Sequence, residues 1–307
     1  MLLPLLCCAA VVGGALFVPW LMRPENLRNE KDRLRAFLFG TFYGDAYQAE
    51  SLLLVDLSDG TAFLSQREDE PQVPASLAKL FVVEYAATLA GLDEVVPVAP
   101  EAVALTRPGS SVAGIGAGDY YFHNLLAAML VPSGNDAAYA VADYCGGILS
   151  PQAAPGRERV DAFMEGLGRH LEELGCDDTV LYDPSGFDEE ARTTALDLVR
   201  VADRLLEQPW FREMVCQSSY TAVLPDGSAQ TWQNTNAFLD PASEYYNENV
   251  AGIKTGSLWE DYNLMVLYRM HGKEFLICSL GSQSDASRYD DVSSILATID
   301  QSSYLAG

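Results

Sequence analysis

The chain has 307 residues, of which 49% are hydrophobic and 10% aromatic. These fractions are typical of a folded globular protein and exclude a disordered chain, and the length predicts one or two domains. The formal net charge is -24. Because nucleic acids and anionic lipid surfaces carry the same sign of charge, this charge disfavours both as partners, and we expect no nucleic-acid binding.

The first 22 residues contain no charged side chain. As a helix that rises about 1.5 Å per residue, this stretch is long enough to cross a hydrocarbon core of about 30 Å. It lacks a basic start and an obvious cleavage site before Arg23, so we predict a membrane anchor in residues 1–22, with a cleaved secretory signal as the alternative. The basic residues within 23–35 by themselves favour a cytoplasmic location for the rest of the chain.

Residues 23–49 form a predicted connector, most of which is rich in charge and is expected to be helical. Two short apolar runs follow, Ser51–Asp56 and Thr61–Ser65, and the Asp-Gly pair between them predicts a β-hairpin. Beyond a polar segment with two prolines, the apolar stretch Leu77–Leu89 predicts a buried helix.

The middle of the chain predicts mostly helices. Residues 94–118 are rich in proline and glycine and predict a loop. Gly175 is placed to end the longest predicted helix, and Thr193 or Thr194 is placed to begin the next one. The predicted helices are Tyr120–Met129, Ala137–Tyr144, Arg157–Leu174 and Ala195–Leu206.

The last third returns to strands, where His271-Gly272 predicts a tight turn and Asp290–Ala297 the start of a closing helix. Strands at both ends with helices between them predict an α/β (α+β) fold. In this fold, an antiparallel sheet forms from the N- and C-terminal segments, and a helical subdomain is inserted at about residues 95–210. The predicted strands are Tyr220–Leu224, Val250–Ile253, Leu264–Met270 and Glu274–Leu280.

Six cysteines give no clear pattern. Cys7 and Cys8 lie in the apolar leader, where cysteine behaves as a small hydrophobic residue. The other four show no Cys-x-x-Cys spacing, so we expect neither a metal site nor a redox motif. A disulfide among these four stays open, and they are Cys145, Cys176, Cys216 and Cys278.

Ser76 and Lys79 lie three residues apart at the start of the predicted buried helix. Residues i and i+3 share a helix face, so the hydroxyl and the amine are expected to converge. A serine is a poor nucleophile until a base takes its proton, and an unprotonated lysine is such a base. An ordinary solvated lysine is the alternative for Lys79, but the chain has only four lysines, so each invites a separate explanation.

Two further triplets carry polar groups suited to a site. Ser133-Gly134-Asn135 offers a hydroxyl and a carboxamide on a loop between predicted helices. Lys254-Thr255-Gly256 follows a predicted strand, and its glycine leaves room for a substrate backbone. Each triplet alone has an ordinary explanation, because the first has a common turn composition and the second can simply end a strand.

Taken together and in this order, the Ser-x-x-Lys, Ser-x-Asn and Lys-Thr-Gly motifs resemble the active-site signature of penicillin-binding proteins and serine β-lactamases. The wider motifs are Pro-Ala-Ser-x-x-Lys at 74–79, Ser-Gly-Asn-Asp-Ala at 133–137 and Gly-x-Lys-Thr-Gly at 252–256. They are similar to those of low-molecular-weight penicillin-binding proteins of the serine-type D-Ala-D-Ala carboxypeptidase family. This resemblance covers about residues 50–300. It implies a DD-peptidase/β-lactamase-like fold, with the catalytic domain at 50–304.

The resemblance implies three catalytic residues, Ser76, Lys79 and Ser133. Ser76 would attack the carbonyl of the D-Ala-D-Ala bond and form an acyl-enzyme. Lys79 would be the general base, with a pKa lowered toward neutrality by burial and by the nearby Lys254. Ser133 would relay the proton to the leaving amine, while Lys254 holds its hydroxyl in place.

The resemblance also implies how the substrate is bound. Asn135 would bind the substrate peptide amide, and Thr255, with Arg288 as a partner, would bind the terminal carboxylate. The backbone N–H groups of Ser76 and Ser257 would form the oxyanion hole. The substrate-binding residues implied in this way are Asn135, Lys254, Thr255, Gly256, Ser257 and Arg288.

The implied function is that of a penicillin-binding carboxypeptidase that trims the terminal D-Ala from peptidoglycan stem peptides, in cell-wall biogenesis and cell shape. The implied partners are the stem peptide and β-lactam antibiotics as acylating inhibitors, and we expect no cofactor and no metal. Because peptidoglycan lies outside the membrane, we expect an extracytoplasmic bacterial protein, either membrane-anchored or secreted, despite the basic residues within 23–35.

Three alternatives stay open: a DD-endopeptidase, a β-lactamase and a non-catalytic penicillin-binding scaffold. A β-lactamase is disfavoured because residues 140–200 lack the Glu-x-x-Leu-Asn sequence that activates the deacylating water in one class. The chain departs from the family in two places. Ala78 stands where threonine is frequent, and the bulky, acidic segment Ser257–Asp261 leaves the preferred stem peptide or crosslink open.

Overall fold

The computed structural model describes residue 42 and residues 47–302. The predicted anchor or signal at residues 1–22 lies outside the described residues, as does most of the predicted connector at 23–49. Within the described residues, none of the helices combines the length and the apolar character that a membrane crossing requires.

The described residues form nine strands and eight helices. The strands are β1 (Ser51–Asp56), β2 (Thr61–Gln66), β3 (Val95–Val98), β4 (Gly118–Tyr121), β5 (Ser219–Val223), β6 (Ala229–Gln233), β7 (Val250–Leu258), β8 (Asp261–Met270) and β9 (Lys273–Ser282). The helices are α1 (Ala78–Leu89), α2 (Pro100–Val103), α3 (Phe122–Leu130), α4 (Asn135–Leu149), α5 (Arg157–Glu173), α6 (Ala195–Leu206), α7 (Pro209–Val215) and α8 (Asp285–Gln301). Single turns of 3-10 helix span Ala75–Leu77 and Ala237–Leu239.

Five strands form the central sheet in the order β2-β1-β9-β8-β7, and every neighbouring pair is antiparallel. Strands β1 and β2 are the predicted hairpin. They form one sheet with three strands from the last sixty residues of the chain. The sheet therefore unites the two ends of the folded body, with the helices between them, as the sequence predicts. Within this sheet β7 pairs only with β8, so its other edge is free to face the helical part.

Both faces of the sheet are covered, because successive side chains of a strand point to opposite faces. In β1, Leu52 and Leu54 belong to a core that includes Ile295 of α8. Leu53, between them, belongs to the larger core that includes the helices of the middle of the chain. Helix α8 starts with a capping box in which Ser284 and Ser287 satisfy each other's backbone N–H groups.

Helix α1 is buried over its first nine residues, from Ala78 to Ala86. A helix that is apolar on nearly all sides belongs inside a protein rather than on its surface. Its charged members are therefore paired: Glu84 accepts a hydrogen bond from Arg204 of α6 at 3.0 Å and another from His170 of α5. The prediction of a central buried helix is confirmed, and this helix carries Lys79 near its start.

The prediction of a loop at residues 94–118 is wrong in part. Strand β3 pairs with β4, so that Val95 lies opposite Tyr121 and Val96 opposite Tyr120. These β-branched and aromatic residues suit a strand. The paired residues are, however, separated in sequence by more than twenty residues that are rich in glycine and proline. Helix α3 consequently begins at Phe122, two residues later than predicted.

Several other elements differ from the sequence predictions, and the motif Lys254-Thr255-Gly256 lies within β7 rather than after it. Strand β6, which pairs with β5, and the short helix α7 were not predicted, because both are short and carry no clear hydrophobic period. Helix α8 begins at Asp285 instead of Asp290, because Ser284 supplies its N-cap. Local signals are reliable elsewhere: Thr194 caps α6 by accepting a hydrogen bond from the N–H of Asp197 at 3.1 Å.

The turn predicted at His271-Gly272 joins β8 to β9, and both residues have positive φ angles, 56° and 72°. Two-residue turns of this kind match the twist of antiparallel strands. Four cysteines are free in the described residues, so no disulfide forms among them. Burial raises the pKa of the thiols of Cys145 and Cys278, which makes both poor nucleophiles.

One close backbone contact fixes the helical part against the start of α1. Gly186 has a φ of 75°, and a Cβ added there would lie 1.9 Å from the carbonyl oxygen of Ala75. No heavy atoms can approach so closely, so this contact exists only because residue 186 has no side chain.

We predict that Gly186→Ala lowers the free energy of unfolding by about 1–3 kcal/mol more than Gly60→Ala. Gly60 is a matched control, because its φ of 73° imposes the same backbone strain while nothing lies within 4 Å of an added Cβ. Urea denaturation of both variants measures the difference. Equal losses of stability would contradict the close contact.

Candidate active site

Ser76 lies in the 3-10 turn that leads into helix α1, and it remains partly exposed. The preceding Ala75 is fully buried and has a φ of 47°, a conformation that costs free energy for any residue but glycine. The turn places the Nζ of Lys79 2.8 Å from the Oγ of Ser76. The structure therefore brings the predicted serine–lysine pair together.

The amine of Lys79 is completely buried and has two further partners. It donates hydrogen bonds to the Oδ1 of Asn135 at 2.8 Å and to the backbone carbonyl of Ser185 at 2.7 Å. A neutral amine has two hydrogens and one lone pair. With its hydrogens directed to these two acceptors, its lone pair points to the hydroxyl of Ser76, which is the arrangement that a general base requires.

Burial lowers the pKa of Lys79 to about 7, because a charged amine is costly to keep away from water. The carboxylates of Asp183 and Asp136 act in the opposite direction and are smaller effects. We predicted that the charge of Lys254 also depresses the pKa of Lys79. In the structure it is the pKa of Lys254 that this repulsion lowers. Burial is the larger cause, and the charges of Lys79 and Arg288 add to it, so that the pKa of Lys254 lies well below its usual value.

The loop between α3 and α4 supplies the second motif. Ser133 is buried, with a φ of 63°, and Asn135 is the first residue of α4. A Cβ on Gly134 would lie 2.6 Å from that of Ala113 and 2.8 Å from the carbonyl oxygen of Ala128, so the loop is held tightly. Within the described residues, the Nδ2 of Asn135 and the Oγ of Ser133 make no hydrogen bond, which leaves both for a ligand.

Strand β7 supplies the third motif along its free edge. A Cβ on Gly256 would lie 3.2 Å from the backbone nitrogen of Ser76, so the strand rests directly against the turn that carries the serine. The Oγ1 of Thr255 lies 2.6 Å from that of Thr235. Lys254 is buried and donates to the carbonyl of Thr255 at 2.9 Å, and no hydrogen bond joins it to Ser133 within the described residues.

Arg288 of α8 holds the end of β7. Its Nη1 lies 2.8 Å from the carbonyl of Gly256, 2.9 Å from the Oγ of Ser257 and 3.1 Å from the carbonyl of Asn263. Its guanidinium also stacks on the ring of Tyr289, 5.2 Å from the centroid. The structure thus gives Arg288 a clear role in positioning the strand, and its contact with a substrate carboxylate stays a prediction.

Sequence reasoning missed Asn263, which fastens the Ser76 turn to the sheet. Its Nδ2 donates to the carbonyls of Val73 and Pro74 at 2.8 and 2.9 Å, and its Oδ1 accepts from the N–H of Gly281 at 2.8 Å. Asn263 is fully buried at the beginning of β8. A polar residue directly before an apolar strand is the only signal that the sequence contains for it.

Two other residues were also missed. Thr235, the partner of Thr255, stands in a polar stretch without any local signal. Asp183 begins the stretch Asp-Pro-Ser-Gly at 183–186, whose composition is typical of a turn. Its Oδ1 accepts hydrogen bonds from the N–H groups of Ser185 at 2.7 Å and Gly186 at 3.0 Å, and so shapes the turn whose Ser185 carbonyl contacts Lys79.

The bulky, acidic segment after Lys-Thr-Gly forms the turn between β7 and β8. Trp259 in this turn is 71% exposed. Its ring centroid lies 6.5 Å from that of Phe187, which follows the Asp183 turn. The two aromatic rings therefore connect the sheet side of the site with its helical side.

This architecture is that of the DD-peptidase/β-lactamase-like fold. The chain is similar to a solved mutant of the Streptomyces K15 DD-transpeptidase, with a TM-score of 0.71 and 26% identity over 83% of this chain and 98% of that one. The family model for D-alanyl-D-alanine carboxypeptidases, peptidase family S11, matches residues 41–268. The chain belongs to this family.

Two curated relatives carry the same description. The D-alanyl-D-alanine carboxypeptidase of Streptomyces sp. strain K15 is 33% identical over 179 residues, which are 56% of this chain and 58% of the relative. The D-alanyl-D-alanine carboxypeptidase DacD of Escherichia coli K12 is 28% identical over 260 residues, which are 81% of this chain and 62% of the relative. The chain thus spans about three fifths of the length of these relatives.

We predict that Asn263→Ala lowers the free energy of unfolding by about 3 kcal/mol, because it removes three hydrogen bonds that this buried side chain makes to backbone groups of Val73, Pro74 and Gly281. Gln217→Ala is the control, since it removes an exposed carboxamide whose Nε2 bonds only to the carbonyl of Glu213. Urea denaturation of both variants tests the prediction. A loss for Asn263→Ala no larger than for the control would show that Asn263 does not fasten the turn.

Proposed function

We propose that the chain is a serine-type D-Ala-D-Ala carboxypeptidase that removes the terminal D-Ala from peptidoglycan stem peptides. The observation that carries this proposal is the buried amine of Lys79, 2.8 Å from the Oγ of Ser76 and with a pKa of about 7. A lysine in this state is unprotonated in a large fraction of molecules at neutral pH, so it is available as a base.

In the acylation step, the Oγ of Ser76 bonds to the carbonyl carbon of the penultimate D-Ala as its proton passes to the amine of Lys79. The carbonyl oxygen becomes an oxyanion, which the backbone N–H groups of Ser76 and Ser257 stabilise. The bond to the terminal D-Ala then breaks, and the leaving amine takes the proton from Lys79 through the hydroxyl of Ser133. The products are free D-Ala and an acyl-enzyme on Ser76.

Deacylation repeats this chemistry with water. A water molecule gives a proton to Lys79 as its oxygen bonds to the acyl carbon, and the proton returns to the Oγ of Ser76 when the ester breaks. The same acyl-enzyme, given an amine acceptor in place of water, would yield a transpeptidation product. The name DD-transpeptidase of the solved relative makes this the second activity to test.

Substrate binding uses the free edge of β7. An extended peptide that pairs antiparallel with this edge would place its carboxylate near Thr255 and Arg288 and its scissile carbonyl at Ser76. The Nδ2 of Asn135 would donate to the peptide amide carbonyl, since its Oδ1 is occupied by Lys79. Gly256 lets β7 lie close enough to the Ser76 turn for this placement.

β-Lactam antibiotics are the second class of ligand that we propose, since they present a strained amide and a carboxylate to the same groups. Because the peptidoglycan substrate lies outside the membrane, we propose an extracytoplasmic location. In this arrangement residues 1–22 act as anchor or signal, residues 23–49 as connector and residues 50–304 as the catalytic domain.

We predict that a fluorescent penicillin labels the purified full-length chain stably and that a pentapeptide ending in D-Ala-D-Ala loses one D-alanine. Ser76→Ala removes the nucleophile and abolishes both, whereas Lys79→Met abolishes acylation because no base remains. Gel fluorescence and assay of released D-alanine measure the two activities. Fast turnover of the penicillin would indicate a β-lactamase, and labelling of Ser76→Ala equal to that of the wild type would refute the proposal.

We also predict that the acylation rate rises with pH and reaches half its maximum near pH 7. Below this pH Lys79 is an ammonium ion with no lone pair, so the rate falls about tenfold for each further pH unit. Measuring penicillin acylation from pH 5 to pH 9 tests this, with thermal unfolding at each pH as the control for folding. A rate that does not change between pH 5 and pH 8 would exclude Lys79 as the base.

A further inference from the structure

Asp183 lies in the turn that touches Lys79, and it is buried to more than nine tenths. Its two carboxylate oxygens differ in their hydrogen bonding. The Oδ1 accepts from the N–H groups of Ser185 and Gly186, from the hydroxyl of Ser185 and, at 3.4 Å, from the N–H of Phe187. Among the residues that the structure describes, the buried Oδ2 has no hydrogen-bond partner. Buried carboxylate oxygens are normally paired, so an unpaired one calls for an explanation.

The shape of the turn does not require a charge. The amide oxygen of an asparagine accepts the same hydrogen bonds as Oδ1, and an amide nitrogen in place of Oδ2 would meet no N–H group, because Oδ2 bonds to none. The hydrogen bonds of the turn therefore do not account for the negative charge of Asp183.

We propose that Asp183 is a positioning residue for Lys79 in the catalytic cycle. Its Oδ1 fixes the turn whose Ser185 carbonyl accepts a hydrogen bond from the Nζ of Lys79 at 2.7 Å. Its unpaired Oδ2 supplies the negative charge that stabilises the Lys79 ammonium, which forms each time Ser76 loses its proton. This inference rests on the proposed function, since it assigns a role within that reaction.

The charges around Lys79 support this role. Burial lowers the pKa of Lys79, and Asp183 is the larger of the two carboxylate effects that raise it again. Asp136 at the start of α4 is the other. Lys254 and Arg288 also belong to the site, and burial, together with the charges of Lys79 and Arg288, lowers the pKa of Lys254. On the remaining helices packed against α1, the side chains of His170 and Arg204 contact Glu84, five residues further along the helix.

Asp136 also raises the pKa of Lys79, but its charge cannot be removed without disturbing hydrogen bonds. Both of its oxygens are engaged, Oδ1 with the N–H groups of Ala113 and Ala137 and Oδ2 with that of Ile115. An asparagine at position 136 would turn an amide nitrogen toward one of these donors and disrupt the loop. Asp183 is therefore the carboxylate whose charge can be removed without changing the hydrogen bonds.

The test is the variant Asp183→Asn in the full-length chain. Removing the negative charge makes the ammonium form of Lys79 less stable, so the midpoint of the acylation pH profile should move down by about one pH unit. At pH 6 the variant should then react with fluorescent penicillin about twice as fast as the wild type, because its neutral fraction is about five times larger while its weaker base is about two to three times less effective. At pH 9 it should react about two to three times more slowly, because a weaker base removes the proton less readily.

Asp188→Asn is the matched control. It removes one negative charge from a position five residues further on, where the carboxylate is partly exposed and pairs with Arg107 at 3.4 Å. Its pH profile should coincide with that of the wild type. A shift as large as that of Asp183→Asn would mean that net charge alone moves the midpoint, and this result would overturn the proposal.

A second measurement does not depend on activity. The chain has only four lysines, so labelling them with ¹³C at Cε gives four NMR signals, and Lys79→Met identifies the one to follow. The Lys79 signal should titrate near pH 7 in the wild type and at lower pH in Asp183→Asn. If the wild type fails to react with penicillin, the proposed function is wrong. The titration would still show whether the charge of Asp183 changes the pKa of Lys79.

Two outcomes would overturn the role of Asp183. One is an Asp183→Asn variant that unfolds at the same temperature as the wild type and has the same titration midpoint for Lys79. The other is a folded variant that is slower than the wild type by the same factor at every pH, which would reduce Asp183 to a structural residue of the turn.

Discussion

The site depends on keeping one amine out of water. A lysine side chain that is fully buried without a carboxylate in contact is unfavourable in its charged form, and this cost brings the pKa of Lys79 to about 7. The two acceptors that the amine has, on Asn135 and Ser185, come from different segments of the chain. Basicity and orientation of the amine are therefore both consequences of how closely the surrounding backbone packs.

That packing relies on three glycines, which have no side chain to keep neighbouring segments apart. Gly256 lets an edge strand lie against the backbone nitrogen of Ser76, and Gly186 lets a turn lie against the carbonyl of Ala75. Gly134 similarly closes the Ser133 loop onto its neighbours. Each glycine belongs to one of the segments that surround Lys79, so the same contacts that exclude water also set the distances between the functional groups.

The structure gives up some stability at this site. Ala75 and Ser133 adopt positive φ angles without being glycines. Within the described part of the chain, the buried Nε of Arg288 and Oδ2 of Asp183 have no hydrogen-bond partner. Strained backbone and unpaired polar atoms of this kind each cost free energy. The large apolar cores on both faces of the sheet compensate for them, as expected for a protein in which function and stability make different demands.

Local chemistry in the sequence determined a good part of this protein. The Asp-Gly turn of the first hairpin, the Thr194 cap and the apolar run after Ser76 act through neighbours in the chain, and each was predicted correctly. The three short motifs identified the residues that the fold brings together, although the sequence did not reveal which contacts they make there. Lys254 was expected to hold the hydroxyl of Ser133, but within the described residues its hydrogen bond goes to the carbonyl of Thr255.

Only the tertiary structure decided the rest, because the partners are distant in sequence. Asn263 reaches the carbonyls of Val73 and Pro74 from about 190 positions away, and nothing near it marks it as part of a site. Strands β3 and β4 pair across a segment that looks like a loop. The acceptor of Lys79 in the Asp183 turn is a backbone carbonyl, which every residue has, so its role exists only where the folded chain places it.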